Sequence, residues 1–255
     1  MKTKLIAVVS ILVLAVLACG LPSGSATKPA ATVAPVATIP AAQPTATAPA
    51  TQPPATAAPQ SSGSAGAKSG SVLFHDDFSN PSSGWDQTSD SDGSTDYANG
   101  GYRILVNTTN LVIWANPNQT FQNDVRIEVD ATKSAGPDTN AFGVICRYND
   151  KDNFYRFLIT SDGYAGISKI IKGDVTVISS ADGKIQTVNN INKGTASNHI
   201  RADCIGSTLT LYVNGNQVAT ANDSSLSGGD TGLFARTYDT GGVDILFHDF
   251  NVYAP

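Results

Sequence analysis

Between residues 141 and 171 apolar and polar positions alternate with a period of two, which predicts three antiparallel strands over about 141–148, 154–160 and 164–171. Asn149–Asn153 and Asp162-Gly163 supply the turns between them, and Asp-Gly is a strongly favoured hairpin dipeptide. With a two-residue turn at Asp162-Gly163 and a four-residue loop over 150–153, the block divides into two faces. Val144, Cys146, Tyr148, Tyr155, Phe157, Ile159 and Ile170 share one, which reads as core. Ile145, Arg147, Phe154, Arg156, Leu158, Ile167 and Lys169 share the other, mixing apolar residues with three cations. A slip of a single residue in either turn would exchange the faces of the following strand.

The same alternation recurs on both sides of this block. Val72-Leu73-Phe74 opens a strand, Asn80–Gly84 forms a turn, and Trp85 after it either packs over the sandwich edge or stands at a binding rim. Ser89–Asp96 reads as an acidic loop, and GYRILV (101–106) and NLVIWA (110–115) read as partner strands. In 124–131, Val125, Ile127 and Val129 point one way and Arg126, Glu128 and Asp130 the other. DVTVISS (174–180) adds a strand, and a polar, turn-rich passage follows to Ser197. His199–Ile205 and Thr208–Val213 form a hairpin in which Ile200, Ala202 and Cys204 oppose Val213, Leu211 and Leu209, and Asn214-Gly215 turns the chain again. LFHDDF (73–78) and LFHDFNV (246–252) look alike and are expected to lie side by side. More than ten short strands, frequent turn signals and no helical period predict an all-β sandwich or barrel.

The first seventy residues are of another kind. Lys2 and Lys4 precede an apolar run from Leu5 to Ala18, the layout of a signal peptide (1–18). The run ends in Val16-Leu17-Ala18-Cys19-Gly20, which resembles a bacterial lipobox and implies lipidation of Cys19; the alternative is an ordinary secretory signal. Either sends the chain out of the cytoplasm. Residues 19–70 are rich in Ala, Thr, Pro and Ser and hold no aromatic residue and no acid. Such a segment cannot bury enough apolar surface to offset its ordering entropy, so a disordered stalk is expected. About 50 residues of extended polyproline-like chain at ~3.1 Å each reach on the order of 150 Å.

The domain over 71–255 carries twenty-one acids against twelve Lys and Arg, a formal charge of about −9. That field excludes nucleic acid as a partner and leaves the lipid anchor as the only membrane contact. With Cys19 assigned to lipid, Cys146 and Cys204 form an even pair in an oxidising compartment, which predicts a disulfide between them. No further cysteine or close histidine makes them a zinc site.

Four stretches together resemble the concanavalin A-like lectin and glucanase superfamily, a two-sheet antiparallel jelly roll. They are the opening F-x-D-D-F…GW, the block GVICRY…NFYRFLITSDGYAGISK, the hairpin LTLYVNG, and the closing TGLFAR…VDILFHDFNVY. The superfamily holds lectins, glycosidases, laminin G-type modules and 3-keto-disaccharide hydrolase-like domains, so the resemblance implies the fold and a ligand site on the concave sheet or its rim loops, without choosing the activity.

Glycoside hydrolysis needs two carboxyl groups flanking the scissile bond. The glucanase branch places them in Glu-x-Asp-x-Glu or Glu-x-Asp-x-x-Glu. Here Glu128-Val129-Asp130 is followed by Ala131, Thr132 and Lys133, and Glu128 is the only glutamate of the sequence, so the second glutamate is absent. His75, His199 and His248 are scattered and carry no nucleophile motif. Arg147, Arg156 and Lys169 are expected in a row across neighbouring strands, with Glu128 and Asp130 beside Arg147 if 124–131 pairs with 141–148. The row reads either as an ion-pair ladder on a wet face or as a polar patch for sugar hydroxyls or carboxylates, with Phe154 or Tyr212 as stacking surface and rim loops near Trp85 and Tyr238. Asp90, Asp92 and Asp96 offer oxygens for calcium or form a solvated acidic loop. The expectation is a non-catalytic, glycan-binding surface lipoprotein that requires no cofactor. Its rivals are an unconventional glycosidase and an adhesive module for an extracellular protein partner.

Overall fold

The computed structural model describes residues 70–122 and 124–255; the expected signal peptide, the expected lipidation at Cys19 and the stretch expected to form a stalk, up to residue 69, lie outside the described residues. Seventeen strands and no helix make up the described chain. In order they are β1 (Val72–Asp76), β2 (Thr88–Ser89), β3 (Gly93–Ala98), β4 (Gly101–Val106), β5 (Val112–Ala115), β6 (Thr120–Phe121), β7 (Val125–Ala135), β8 (Asn140–Asp150) and β9 (Asn153–Ile159). They continue as β10 (Tyr164–Ile171), β11 (Asp174–Val177), β12 (Gln186–Thr187), β13 (Asn198–Ile205), β14 (Thr208–Val213), β15 (Asn216–Asn222), β16 (Gly229–Thr237) and β17 (Val243–Tyr253).

Two antiparallel sheets form a sandwich. One has nine strands in the order β15-β14-β13-β7-β17-β4-β3-β2, with β1 also on β17. The other has eight, β11-β10-β9-β8-β16-β5, with β12 on β10 and β6 on β16. Period-two alternation puts one set of side chains from each sheet between the layers. Ile104, Ile127, Val129, Ile200, Leu211, Ile245 and Phe247 of the first sheet meet Val144, Tyr155, Phe157, Ile159, Ile167 and Leu233 of the second, all fully buried. Each such aliphatic or phenyl side chain contributes roughly 1.5–3 kcal/mol by leaving water. Cys146 of β8 and Cys204 of β13 are joined across the layers, with Cα atoms 6.9 Å apart.

Several expected elements are present as read. The β13–β14 hairpin pairs Ile200 with Val213, Ala202 with Leu211 and Cys204 with Leu209. Asn214 (φ 50°) and Gly215 (φ 82°) make the two-residue turn into β15, both in the left-handed region that a type I′ turn requires. The two similar terminal segments do lie together, Val72 opposite Tyr253 and Asp76 opposite Phe250.

Four pairings differ from expectation. The turn between β9 and β10 takes three residues, 161–163, with the Thr160 amide donating to the Tyr164 carbonyl at 2.9 Å and Ile159 opposite Ala165. One extra residue turns β10 over, so Ile167 faces the core and Ile170 the outside. On the other side of β9 the turn is only Lys151-Asp152, and the difference is absorbed by an irregularity between Cys146 and Asp150, where Arg147 adopts φ 53°. Tyr148 is thereby moved to the outer face. β5 crosses to the eight-stranded sheet beside β16 instead of pairing with β4, and β7 pairs with β13 and β17, not with β8. The segment read as an acidic loop is half strand, since β3 starts at Gly93.

Candidate functional site

The outer face of the eight-stranded sheet carries a second apolar cluster, separate from the sandwich core: Ala141, Ile145, Phe154, Leu158, Ile170 and Phe234, with Val112, Trp114, Tyr148, Ile185 and Tyr238 packed against it. The Phe154 ring lies 5.5 Å from Tyr148 and 6.1 Å from Trp114. Residues of β11, of the stretch just before β12 and of the segment after β16 join those of β9 and β10 around one part of this face. Between them is a cavity of about 640 Å³, bounded by Leu158, Val175, Val177, Ile185 and Tyr238 with Arg156, Ser168 and Arg236 among them. That volume lies within the range of small-ligand sites, ~300–1,000 Å³.

Arg156 is 4% exposed and its guanidinium sits 5.5 Å from the centre of the Phe234 ring; Arg236 stacks on Tyr238 at 4.8 Å. Burial pushes the Arg156 guanidinium down, and the like charge of Arg236 pushes it further, to about 10. Arg103, Arg126, Arg147 and Arg201 each pair with a carboxylate. Neither Arg156 nor Arg236 has an ion pair among the described residues, and the Nε atoms of both, with Ser168 Oγ, are buried without a hydrogen-bond partner there.

The remaining residues singled out in the sequence are dispersed. Arg147 leaves the expected row, because the irregularity in β8 sends it across to the other sheet. There it donates to the carbonyls of Leu226 and Gly206 at 2.8 Å and of Cys204 at 3.3 Å, and to Asp124 at 3.2 Å. Lys169, on the reversed β10, bonds to Asp223 at 2.6 Å. Burial pushes the Asp223 carboxyl up, but Lys169, Ser225 and Tyr155 outweigh it and hold Asp223 well below the usual carboxylate range. Trp85 is 3% exposed in the core against Phe78, Tyr102 and Phe250, its Nε1 donating to Asp76 at 3.0 Å, so it forms no rim.

Glu128, Asp130 and Tyr212 stand on the opposite outer face, that of the nine-stranded sheet. Arg201 lies opposite both Glu128 and Tyr212 in the ladder and 4.3 Å over the Tyr212 ring; His199 bonds to Asp130 at 2.8 Å. The hydrogen bond that His199 donates to the Asp130 carboxylate raises the His199 pKa above its ordinary value against the opposing effect of burial. Asp90 caps its own turn, Asp92 accepts from Thr108 at 2.7 Å and Asp96 lies 3.9 Å from Arg103. Among the described residues no three His, Cys, Asp or Glu side chains converge as a metal site would need.

Of the sequence-derived candidates, then, Phe154, Arg156 and Tyr238 share the face that holds the cavity. Arg236, Phe234 and Trp114 were not singled out, although in TGLFART the alternation already sets Phe234 and Arg236 opposite Leu233 and Ala235. Trp114 was hidden by the expectation that its strand pairs with β4.

The sequence matches no family model and no curated protein. Among solved structures it is similar to the carbohydrate-binding module CBM66 from Bacillus subtilis, with 18% identity, 67% of this chain and 96% of that one covered, and a TM-score of 0.54. A Bacillus subtilis protein of unknown function with a galectin-like fold matches at 9% identity over 72% and 96%, with a TM-score of 0.53. A Bacillus licheniformis β-glucanase matches at 11% over 71% and 98%, with a TM-score of 0.52. At these identities the likeness is one of fold, a jelly-roll sandwich shared by sugar-binding and sugar-cleaving proteins.

Proposed function

We propose that this chain is a surface lipoprotein whose β-sandwich binds glycan without cleaving it, anchored through Cys19 and held away from the membrane by the Ala/Thr/Pro/Ser-rich stalk. The observation that carries the reading is the cavity on the outer face of the eight-stranded sheet. It combines apolar walls and aromatic rings with hydrogen-bonding groups that have no partner in the protein, which is the usual composition of a saccharide site. The likeness to a carbohydrate-binding module supports it. Against cleavage by the glucanase route stands the missing second glutamate after Glu128-Val129-Asp130.

One observation favours the enzyme as a second reading. Burial pushes the Asp230 carboxyl up to about 6, with the Asp86 charge adding to the rise against the backbone amides that bond to it, so Asp230, away from the cavity lining, can hold a proton near neutral pH as a general acid would. The full chain, purified in detergent and applied to a glycan array with and without calcium, tests both readings. Capture of sugars without turnover is expected. Turnover abolished by Asp230→Asn would establish the enzyme instead, and capture of proteins but no sugar would establish an adhesin. Cys19→Ser is expected to release the protein from membranes, and normal lipid labelling of that variant would refute the anchor.

A further inference from the structure

We propose that the cavity takes an acidic sugar, holding the carboxylate of a uronic acid residue between the guanidiniums of Arg156 and Arg236. This rests on the glycan-binding reading and narrows its substrate class. A guanidinium that is 4% exposed and unpaired is costly, and a second cation close by adds repulsion. The other four arginines of the domain meet this cost with carboxylates of the protein. At this site a carboxylate from the ligand does the same.

The donor set matches that anion. Arg156 and Ser168 face each other in the β9–β10 ladder, and each keeps a buried, unpartnered polar atom, as does Arg236. Guanidinium forks bind planar carboxylates in two-point fashion, and the pairing strengthens as water is excluded. Lys184 adds a third cation at the exposed rim. Two acids, Asp162 and Asp239, also line the cavity, but neither ion-pairs with either arginine, and Arg156, Arg236 and Lys184 leave the lining with an excess of positive charge. The sugar ring has Tyr238 and the apolar wall of Leu158 and Ile185 to lie against. The domain's overall negative charge acts mainly beyond contact range, where salt screens it over ~8 Å, so it does not outweigh the cations at the cavity itself.

The test uses the full chain in detergent and four probes: oligogalacturonate, its methyl ester, a neutral oligogalactose and a sulfated galactose oligosaccharide. Titration calorimetry should give binding of oligogalacturonate, at least tenfold weaker both for the ester, which removes the charge and adds a methyl group, and for the neutral oligogalactose, which lacks the carboxyl altogether. Arg156→Gln and Arg236→Gln should each weaken uronate binding at least tenfold. Each should lower Tm by only a few degrees at most, because it removes a cation that has a ring contact but no carboxylate partner. Equal binding of acid and ester, or variants that bind uronate as the parent does, would overturn the acidic-sugar inference and leave glycan binding standing. Binding of the sulfated probe alone would overturn the carboxylate assignment. No affinity for any sugar here or on the array would overturn both readings. If a variant fails to fold, the comparison of acid with ester on the parent chain still decides.

Discussion

Replacing Arg147 by methionine should destabilise the domain strongly, although the sequence alone placed this residue on an open face. Methionine preserves most of the apolar stem and removes only the charged fork. That fork is buried, 4% exposed, and reaches four acceptors: the carbonyls of Cys204, Gly206 and Leu226 and the carboxylate of Asp124. Hydrogen bonds to charged groups contribute ~1.5–3 kcal/mol each and are not additive, and acceptors left unpaired in a buried site keep their desolvation cost. A loss of ~3–5 kcal/mol is expected, less than the sum for three carbonyls that lose a charged donor because such bonds are not additive. For a domain of this size each kcal/mol moves Tm by about 2–4 °C, so a fall of roughly 6–20 °C should accompany it. Urea unfolding followed by tryptophan fluorescence measures the change. Two substitutions calibrate it: Asp124→Asn touches a half-exposed partner and should cost below ~1 kcal/mol, and Arg156→Met, which loses a ring contact but no ion pair, should cost below ~2 kcal/mol. A loss under ~1 kcal/mol for Arg147→Met, with an unchanged denaturant slope, would refute the bridging role given to this side chain.

Two further outcomes follow from the same geometry. The bond between Cys146 and Cys204 spans 58 residues, and constraining the unfolded chain over such a loop contributes ~4 kcal/mol; replacing both by serine should lower stability by about that amount, and mass mapping that finds both thiols free under oxidising conditions would contradict the bond. His199 should titrate above its ordinary 6.5 because of Asp130, so its stabilising contribution is complete below the unfolded value and fades as pH rises through the folded one. NMR titration of the imidazole, with Asp130→Asn returning it toward 6.5, checks this, and a value at or below 6.5 in the parent chain would sink it.

Legibility in the sequence varied with the physics behind each signal. The strands of the central block, the β13–β14 ladder, the Asn214-Gly215 turn and the meeting of the two ends follow from local alternation and from turn residues of fixed conformation. The side-chain faces depended on turn length, where one residue decides everything. A third turn residue at Ser161 turned β10 over, and the irregularity at Arg147 redirected a cation that alternation had placed on the outside. Which strands pair across the sandwich is non-local, so β5 could not be read as a partner of β16 from its own residues. The site shows the same division. Arg156 and Phe154 were visible because they lie in the central block. Arg236 and Trp114 complete the site only through the order of strands in the sheet.

The side-by-side placement of β1 and β17 has a mechanical side. The chain enters the domain at β1, so tension arriving from the N-terminal side is delivered first to the pairing of Val72 with Tyr253. Because the two strands are antiparallel, a pull away from the sheet meets the pairs in succession, Phe74 with Val252, then His75 with Asn251, and peels them one at a time. The peel runs up against Asp76, whose buried carboxylate is held by the Phe78 amide at 2.8 Å, the Ser83 hydroxyl at 2.5 Å and Trp85 Nε1 at 3.0 Å. Under load the first strand therefore acts as a yielding leash, and Asp76 as the knot at which the peeling stops.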